Sequence, residues 1–448
     1  MTTLSLTVEV APKQARTYFT VPFQVPEGVA TLTLRYRYER RPAVLTPTSG
    51  GVFTARPEVN VIDLGLIAPD GSQVGASGSD KTEITVSATR ATPGYRPTPI
   101  VAGEWRILVG AYKVAPEGVT IKYEIVFTVK QRRLFLGDLH THTLASDGVH
   151  TAHELAIKAR RHGLDFVAIT DHNQTIARAA LPQVDGVTLI PGIEWTHYAG
   201  HANFLGSERP YDGVFATQAL SDVQARFASA RERGALIVVN HPLDESCPFT
   251  FDLATLSFDA LEVWNGPMRE ANLRAVGLWQ QWLSAGRRVP IVGGSDYHRD
   301  TPFIFLGGPT TGVYADSEGE ADILAAVRAG RSFLTFAPNG PTVALSAGDA
   351  GLGEVAPWPR VKTLRIVAGG LASGDVVRVV TAVGATALFT APEAGDVALD
   401  YLVEAPGFAR IEILRVFIPG VPPLPALLSN PIYFEATSNE NHPGAAEP

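Results

Sequence analysis

Between about residue 134 and residue 338, short apolar runs alternate with helix-like stretches, and this alternation narrows the fold more than any other feature. "TAHELAIKARRHG" opens with Thr151 and Glu154 in capping-box spacing and closes on Gly163. "DFVAIT" follows it as a short apolar strand. "SDVQARFASARERG" precedes "ALIVVN", "REANLRAVGLWQQWLSAG" precedes "VPIVGG", and "EADILAAVRAG" precedes "SFLTF". Strand and helix in turn predict an α/β segment, a parallel sheet or barrel with its helices outside.

Both flanks follow a different period. In "ATLTLRYRYER", Leu32, Leu34, Tyr36 and Tyr38 fall on one face and Arg35 and Arg37 on the other, the period-two pattern of a half-buried strand. "GEWRILVGAYKV" and "GVTIKYEIVFTV" repeat the pattern, with turn material such as "APDGSQ" between runs. Beyond "APNGP", β-type runs return in "TLRIVAGG", "DVVRVVTAVG" and "RIEILRVFI". The expected organisation is a β-sandwich over 1–131, an α/β segment over 132–338, a second sandwich over 339–436 and a flexible tail over 437–448.

Composition excludes some partners. A formal charge of −8 with a pI near 5.8 argues against nucleic acid and anionic membranes, both of which select a basic face. No apolar run is long enough for a membrane span, and "MTTLSLTVEVAPK" lacks the charged-then-apolar order of a signal peptide. Cys247 is the one cysteine, so no intrachain disulfide can form, and a cytoplasmic setting is expected. The thiol itself reads as a small packed side chain. The sandwiches could bind carbohydrate, roof a site or mediate homo-oligomerisation, the last two being preferred.

Metal-ligand residue types recur where the apolar runs of the middle segment end. "LFLG" leads to Asp138, His140 and His142, then Asp147; "FVAI" to Asp171 and His172; "TLIPGI" to Glu194, with His201 shortly after. "ALIVV" leads to Asn240 and His241, and "VPIVGGS" to Asp296, His298 and Arg299. In a βα-barrel such strand ends converge on one face. Along extended chain, His140 and His142 point the same way, as do Asp296 and His298, so each pair can grip one cation. Six of the eleven histidines lie in these clusters, too many for independent accident. His197, between Glu194 and His201, is the rival to His201. The remaining histidines, His150, His153, His162 and His442, read as solvated or structural.

The ordered motifs "GDLHTHTLASDG", "FVAITDHN", "PGIEWT", "VVNHP" and "GGSDYH" resemble the polymerase and histidinol phosphatase (PHP) superfamily. "GHANFLG", "LEVWNG" and "GRSFLTFAPNGP" look more like its carbaryl-hydrolase (CehA/McbA-like) branch. The resemblance implies a distorted (βα)7 barrel and a trinuclear centre of zinc, manganese or iron. It implies that His140, His142, Glu194 and Asp296 hold one ion, that Glu194 bridges to a second held by His201 and His241, and that Asp147, His172 and His298 hold a third. Asp147 stands where some members have histidine. Asp171 is expected to orient a ligand imidazole.

Two to three divalent ions imply hydrolysis by a bridging hydroxide, with Glu194 and Asp296 at the reacting centre and no protein nucleophile. Three divalent ions against three carboxylates and one hydroxide leave about +2, which favours a phosphate ester over a neutral group. Arg299 could clamp a substrate oxyanion, or be a surface arginine answering Asp300. Trp195, Asn203, Trp264 and Asn265 border the motifs and shape the pocket or pack the core. The alternatives to a phosphoesterase of small anionic substrates are a carbamate or carboxylic ester hydrolase and a non-catalytic metal-containing binding protein.

Overall fold

A computed structural model describes residues 2–41 and 58–436; the tail expected over 437–448 lies outside the described residues. The chain divides between Gln131 and Arg132 into two compact units.

The first unit holds β1 (Thr2–Val10), β2 (Thr17–Val25), β3 (Val29–Arg37), β4 (Val61–Ile67), β5 (Gln73–Ser77), β6 (Glu83–Ser87), β7 (Gly103–Lys113) and β8 (Val119–Val129). They form two four-stranded antiparallel sheets, β1-β8-β3-β6 and β2-β7-β4-β5. The period-two reading of β3 is realised side chain by side chain. Leu32, Leu34 and Tyr36 enter the core shared by both sheets, while Arg35 reaches outward to Glu83 at 2.5 Å.

The second unit begins with β9 (Arg133–Asp138), α1 (Ala152–Arg161), β10 (Phe166–Ile169), β11 (Thr188–His197) and β12 (Gly200–Leu205). It continues with α2 (Leu220–Glu232), β13 (Leu236–Val239), β14 (Ala260–Asn265), α3 (Glu270–Ser284) and β15 (Ile291–Gly294). Then come β16 (Thr310–Ala315), α4 (Glu320–Arg328) and β17 (Ser332–Thr335). The Thr151 hydroxyl accepts from the Glu154 amide while the Glu154 carboxylate accepts from the Thr151 amide, and Gly163 adopts φ +79° beyond the helix, as the sequence implies.

The strand order is β15-β14-β13-β12-β11-β10-β9-β16-β17. Pairing is parallel along β9-β10-β11 and along β13-β14-β15. It is antiparallel where β12 enters between β11 and β13, and where β16 and β17 follow β9. The sheet is therefore mixed, not wholly parallel as strand–helix alternation suggested. The reason is local: "HYAG" is a tight turn whose Gly200 takes φ +140°, so β11 folds straight back as β12 with no helix between them. The sheet also curls. Gly293 of β15 and the Thr311 hydroxyl of β16 exchange hydrogen bonds of 3.2 and 2.7 Å, which brings the first strand in the order against a strand well down it.

The sheet then runs on from β17 through Leu424–Ser429, Gly407–Arg415 and Val376–Thr381 to Gly384–Thr390. A three-stranded sheet of Thr342–Ser346, Thr363–Leu371 and Gly395–Leu402 contributes to the same core as these strands. Among the described residues no helix is long and apolar enough to cross a membrane.

Candidate metal centre

Strand ends and one hairpin build the site. After β9 the chain stays extended. Thr141 bridges to Tyr297, and the His142 amide donates to the Tyr297 carbonyl at 2.9 Å, so His140 and His142 project to the same side. In the β11–β12 register Glu194 lies opposite Asn203 and Thr196 opposite His201, which puts all four side chains on one face. A register shift between Glu262 and Trp264 in β14 lets both Glu262 and Asn265 turn toward the centre. Gly294 is required for close approach, because a Cβ there would collide with His140 Cβ.

Glu194 is the hub. Its carboxylate lies 3.3 Å from His140 Nε2, 3.5 Å from His142 Nε2, 2.8 Å from His172 Nδ1, 3.1 Å from His201 Nδ1 and 3.4 Å from His241 Nε2. Asn240 Nδ2 adds a hydrogen bond of 2.9 Å. Asp296 Oδ1 stands 3.0 Å from His142 Nε2 and 3.4 Å from His140 Nε2. His298 and His172 approach Asp147 Oδ1 at 3.1 and 3.7 Å. Three groups of donor atoms, each within 4.8 Å of one another, result: His140, His142, Glu194 and Asp296; His142, Asp147, His172 and His298; and His201, His241 and Cys247.

Burial sets the electrostatics. It pushes the Glu194 carboxyl up, but the surrounding imidazoles of His140, His172 and His201 outweigh it and hold the group well below the carboxylate range. Asp296 is likewise held low against its burial by His140 and His142. Burial pushes His142 down, toward the neutral imidazole a metal requires, against the pull of Asp296. His140 Nε2 and His142 Nδ1 are buried without a hydrogen-bond partner. His140 Nε2, unpartnered yet 3.3 and 3.4 Å from the Glu194 and Asp296 carboxylates, belongs to a nitrogen-and-oxygen donor set that fits a divalent metal.

The surrounding residues orient these donors. Glu262, buried and not singled out from the sequence, accepts from His140 Nδ1 at 3.0 Å and from the His241 amide at 3.0 Å. Its signal was available, since a carboxylate within an apolar strand must find a partner when buried. Thr196 Oγ1 meets His172 Nδ1 at 2.6 Å. Asp171 departs from expectation: among the described residues its carboxylate hydrogen-bonds no imidazole and accepts from the Thr143 amide and the Thr143 and Ser146 hydroxyls, each at 2.7 Å. It shapes the loop leading to Asp147, because that loop folds back over the end of β10 and its donors reach the carboxylate first. Asp138 takes hydrogen bonds from the Ser295 amide and hydroxyl, the Gly307 amide and the His140 amide, although burial pushes it up to about 6.

Between the two rival histidines the geometry discriminates. His197 stacks on Trp195 with ring centroids 5.0 Å apart and turns Nε2 to the Thr217 carbonyl at 3.3 Å, outside all three groups. Trp195 is core, and its indole donates to the Phe215 carbonyl. Asn203 accepts from Asn240, and Asn265 Nδ2 reaches Asp296 Oδ2 at 3.4 Å. Trp264 packs in the core beside them. Arg299 is exposed next to His298; Asp300 pairs with Lys158 at 2.6 Å and not with Arg299. His241 and Asp296 are held at φ +25° and +51°, a backbone conformation costing about 1–3 kcal/mol each, typical of residues positioned for function.

No family model matches this chain. It is 27% identical over 158 residues to a "Probable phosphatase" of Shewanella loihica (strain ATCC BAA-1088 / PV-4), a stretch covering 29% of this chain and 64% of the relative. Among solved structures it is similar to a two-domain protein from Bacteroides vulgatus containing a "predicted PHP-like metal-dependent phosphoesterase", with a TM-score of 0.40 and 17% identity over 66% of this chain and 95% of that one. It is also similar to an amidohydrolase from Chromobacterium violaceum, with a TM-score of 0.29 and 16% identity over 37% of this chain and 89% of that one.

Proposed function

We propose that the second unit is a divalent-metal-dependent phosphoesterase of the PHP type, acting on small anionic phosphate esters or diesters. The observation that carries this reading is Glu194, a buried carboxylate faced by five imidazoles, beside a His140 Nε2 that has no hydrogen-bond partner. The likeness to a named phosphatase, over part of the chain, supports it.

His140, His142, Glu194 and Asp296 would hold one ion, Glu194 with His201 and His241 a second, and Asp147, His172 and His298 a third; zinc, manganese and iron all suit such nitrogen and oxygen donors. Divalent ions held there would lower the pKa of water and neutralise charge building on phosphoryl oxygens. The chain's own contribution is preorganisation. Glu262 fixes the ring of His140, Thr196 that of His172, and Asn265 the carboxylate of Asp296. Arg299 is the proposed clamp for a substrate oxyanion. Residues 132–338 would form the catalytic segment as a distorted (βα)7 barrel, a closure that the Gly293–Thr311 exchange supports, with 1–131 and 339–436 as flanking sandwiches.

Release of p-nitrophenol from bis-p-nitrophenyl phosphate, compared with p-nitrophenyl acetate, tests the reading. Chelator-sensitive turnover of the phosphodiester, restored by zinc or manganese and lost in His140→Ala, is expected. Turnover of the acetate alone would replace it with an ester hydrolase, and turnover of neither ester by the metal-loaded protein would favour a binding protein.

A further inference from the structure

The third donor group contains the chain's only thiol. Cys247 Sγ lies 3.6 Å from His241 Nδ1, and Cys247, His201 and His241 each offer one ligand atom within 4.8 Å of the others'. This is no chance approach of a loose side chain. The segment after β13 turns back on itself, with the Phe249 amide donating to the Pro242 carbonyl at 3.0 Å and the Asp244 amide to the His241 carbonyl at 3.0 Å. Asp244 accepts from the Ser246 amide and hydroxyl at 2.8 and 2.6 Å and pairs with Arg269 at 3.1 Å. At its far end Thr250 donates to the Ala199 carbonyl at 2.8 Å, and Phe249 packs so closely on Gly200 that a Cβ there would strike the ring. The loop is thus pinned at both ends around His201 and His241, with the thiol half-buried at its turn.

We propose that Cys247, together with His201 and His241, forms a sulfur-and-nitrogen position for a thiophilic divalent cation, zinc foremost. The other two groups offer only imidazole and carboxylate. The proposal rests on the metal-centre reading above and refines it: this position is softer than its neighbours, so it prefers zinc, cadmium or cobalt over manganese or magnesium. On binding, the thiol gives its proton to solvent and the thiolate joins the two neutral imidazoles. A mixed centre follows, in which one ion is fixed as a thiophilic metal while the others are open to exchange.

Cobalt(II) loading of the full metal-free chain tests this by absorption spectroscopy. The intact protein is expected to show a thiolate-to-cobalt charge-transfer band in the near ultraviolet, which Cys247→Ser abolishes while the visible d–d bands of the remaining sites persist. His201→Ala should also diminish the band, and its circular dichroism reports whether it folds. Cadmium affinity should fall at least about tenfold in Cys247→Ser, and bound zinc should protect the thiol from Ellman's reagent in the intact protein. Cobalt d–d bands without a thiolate band would overturn the proposal and leave the metal centre standing. Absence of any bound cobalt would overturn both.

Discussion

Around Glu194 the energetic problem is one buried carboxylate and five buried or half-buried rings in contact, and neighbouring side chains decide which nitrogen each ring presents. Glu262 illustrates this. By accepting from His140 Nδ1 it leaves Nε2 as the free donor atom aimed between Glu194 and Asp296. Glu262→Ala is therefore expected to lower affinity for the ion proposed at His140 about 10- to 100-fold, measured by calorimetric titration of zinc into metal-free protein. An unchanged affinity would show that Glu262 does not position His140 for the ion. The same residue was half legible in the sequence. A carboxylate within the apolar run "LEVWNG" signals a buried partner, but only the pairing across the sheet identifies it as His140 and the His241 amide. Asp171 misled in the opposite direction, because its place between Thr170 and His172 does not reveal that Thr143 and Ser146 loop back to claim it.

Helices are the elements most readable in the chain, since capping and periodicity are local signals. α1 begins where Thr151 and Glu154 cap each other and stops at Gly163. Thr151→Ala should destabilise the protein by about 1 kcal/mol in urea unfolding, with bound metal unaffected, because Thr151 serves the helix and not the centre. Strand direction was less legible. "TLIPGIEWTHYAGHANFL" shows two apolar runs around a turn, but only pairing tells that the second runs back beside the first and sets His201 near Glu194. Glu194 accordingly lies within β11, where a ligand was expected beyond the end of a strand. The strand Thr310–Ala315 carries none of the grouped ligands, and although "GGP" and "DSEG" flank it as turn material, its run "TTGVYA" is short and partly polar.

The first unit encloses its own core between two antiparallel sheets. In the second unit the C-terminal strands share a sheet with β17, and a buried ion pair helps join them to α3. Arg410 donates to Glu412 at 2.6 Å and to Gln280 Oε1 at 2.9 and 3.0 Å, and lies 4.7 Å from the centre of the Trp279 ring. Burial raises the Glu412 carboxyl, but Arg410 and Arg378 outweigh it and hold the group below its ordinary 4.5. A depressed folded-state value contributes stability above the unfolded one and loses it as pH falls through the folded one. Glu412→Gln leaves Arg410 without its counter-charge, and should cost about 3–5 kcal/mol at pH 7, with the gap to the unmutated protein narrowing below about pH 4. Denaturant melts across pH measure this, and a gap independent of pH would contradict it. At the strand ends of this unit, residues separated by much of the chain converge on the proposed ion positions. Anomalous diffraction from crystals of the zinc-loaded protein would locate the ions themselves. Peaks between Glu194 and the rings of His140, His142, His201 and His241 are predicted; zinc-loaded crystals whose map is empty there, with the imidazoles hydrogen-bonded only to the carboxylates, would contradict it.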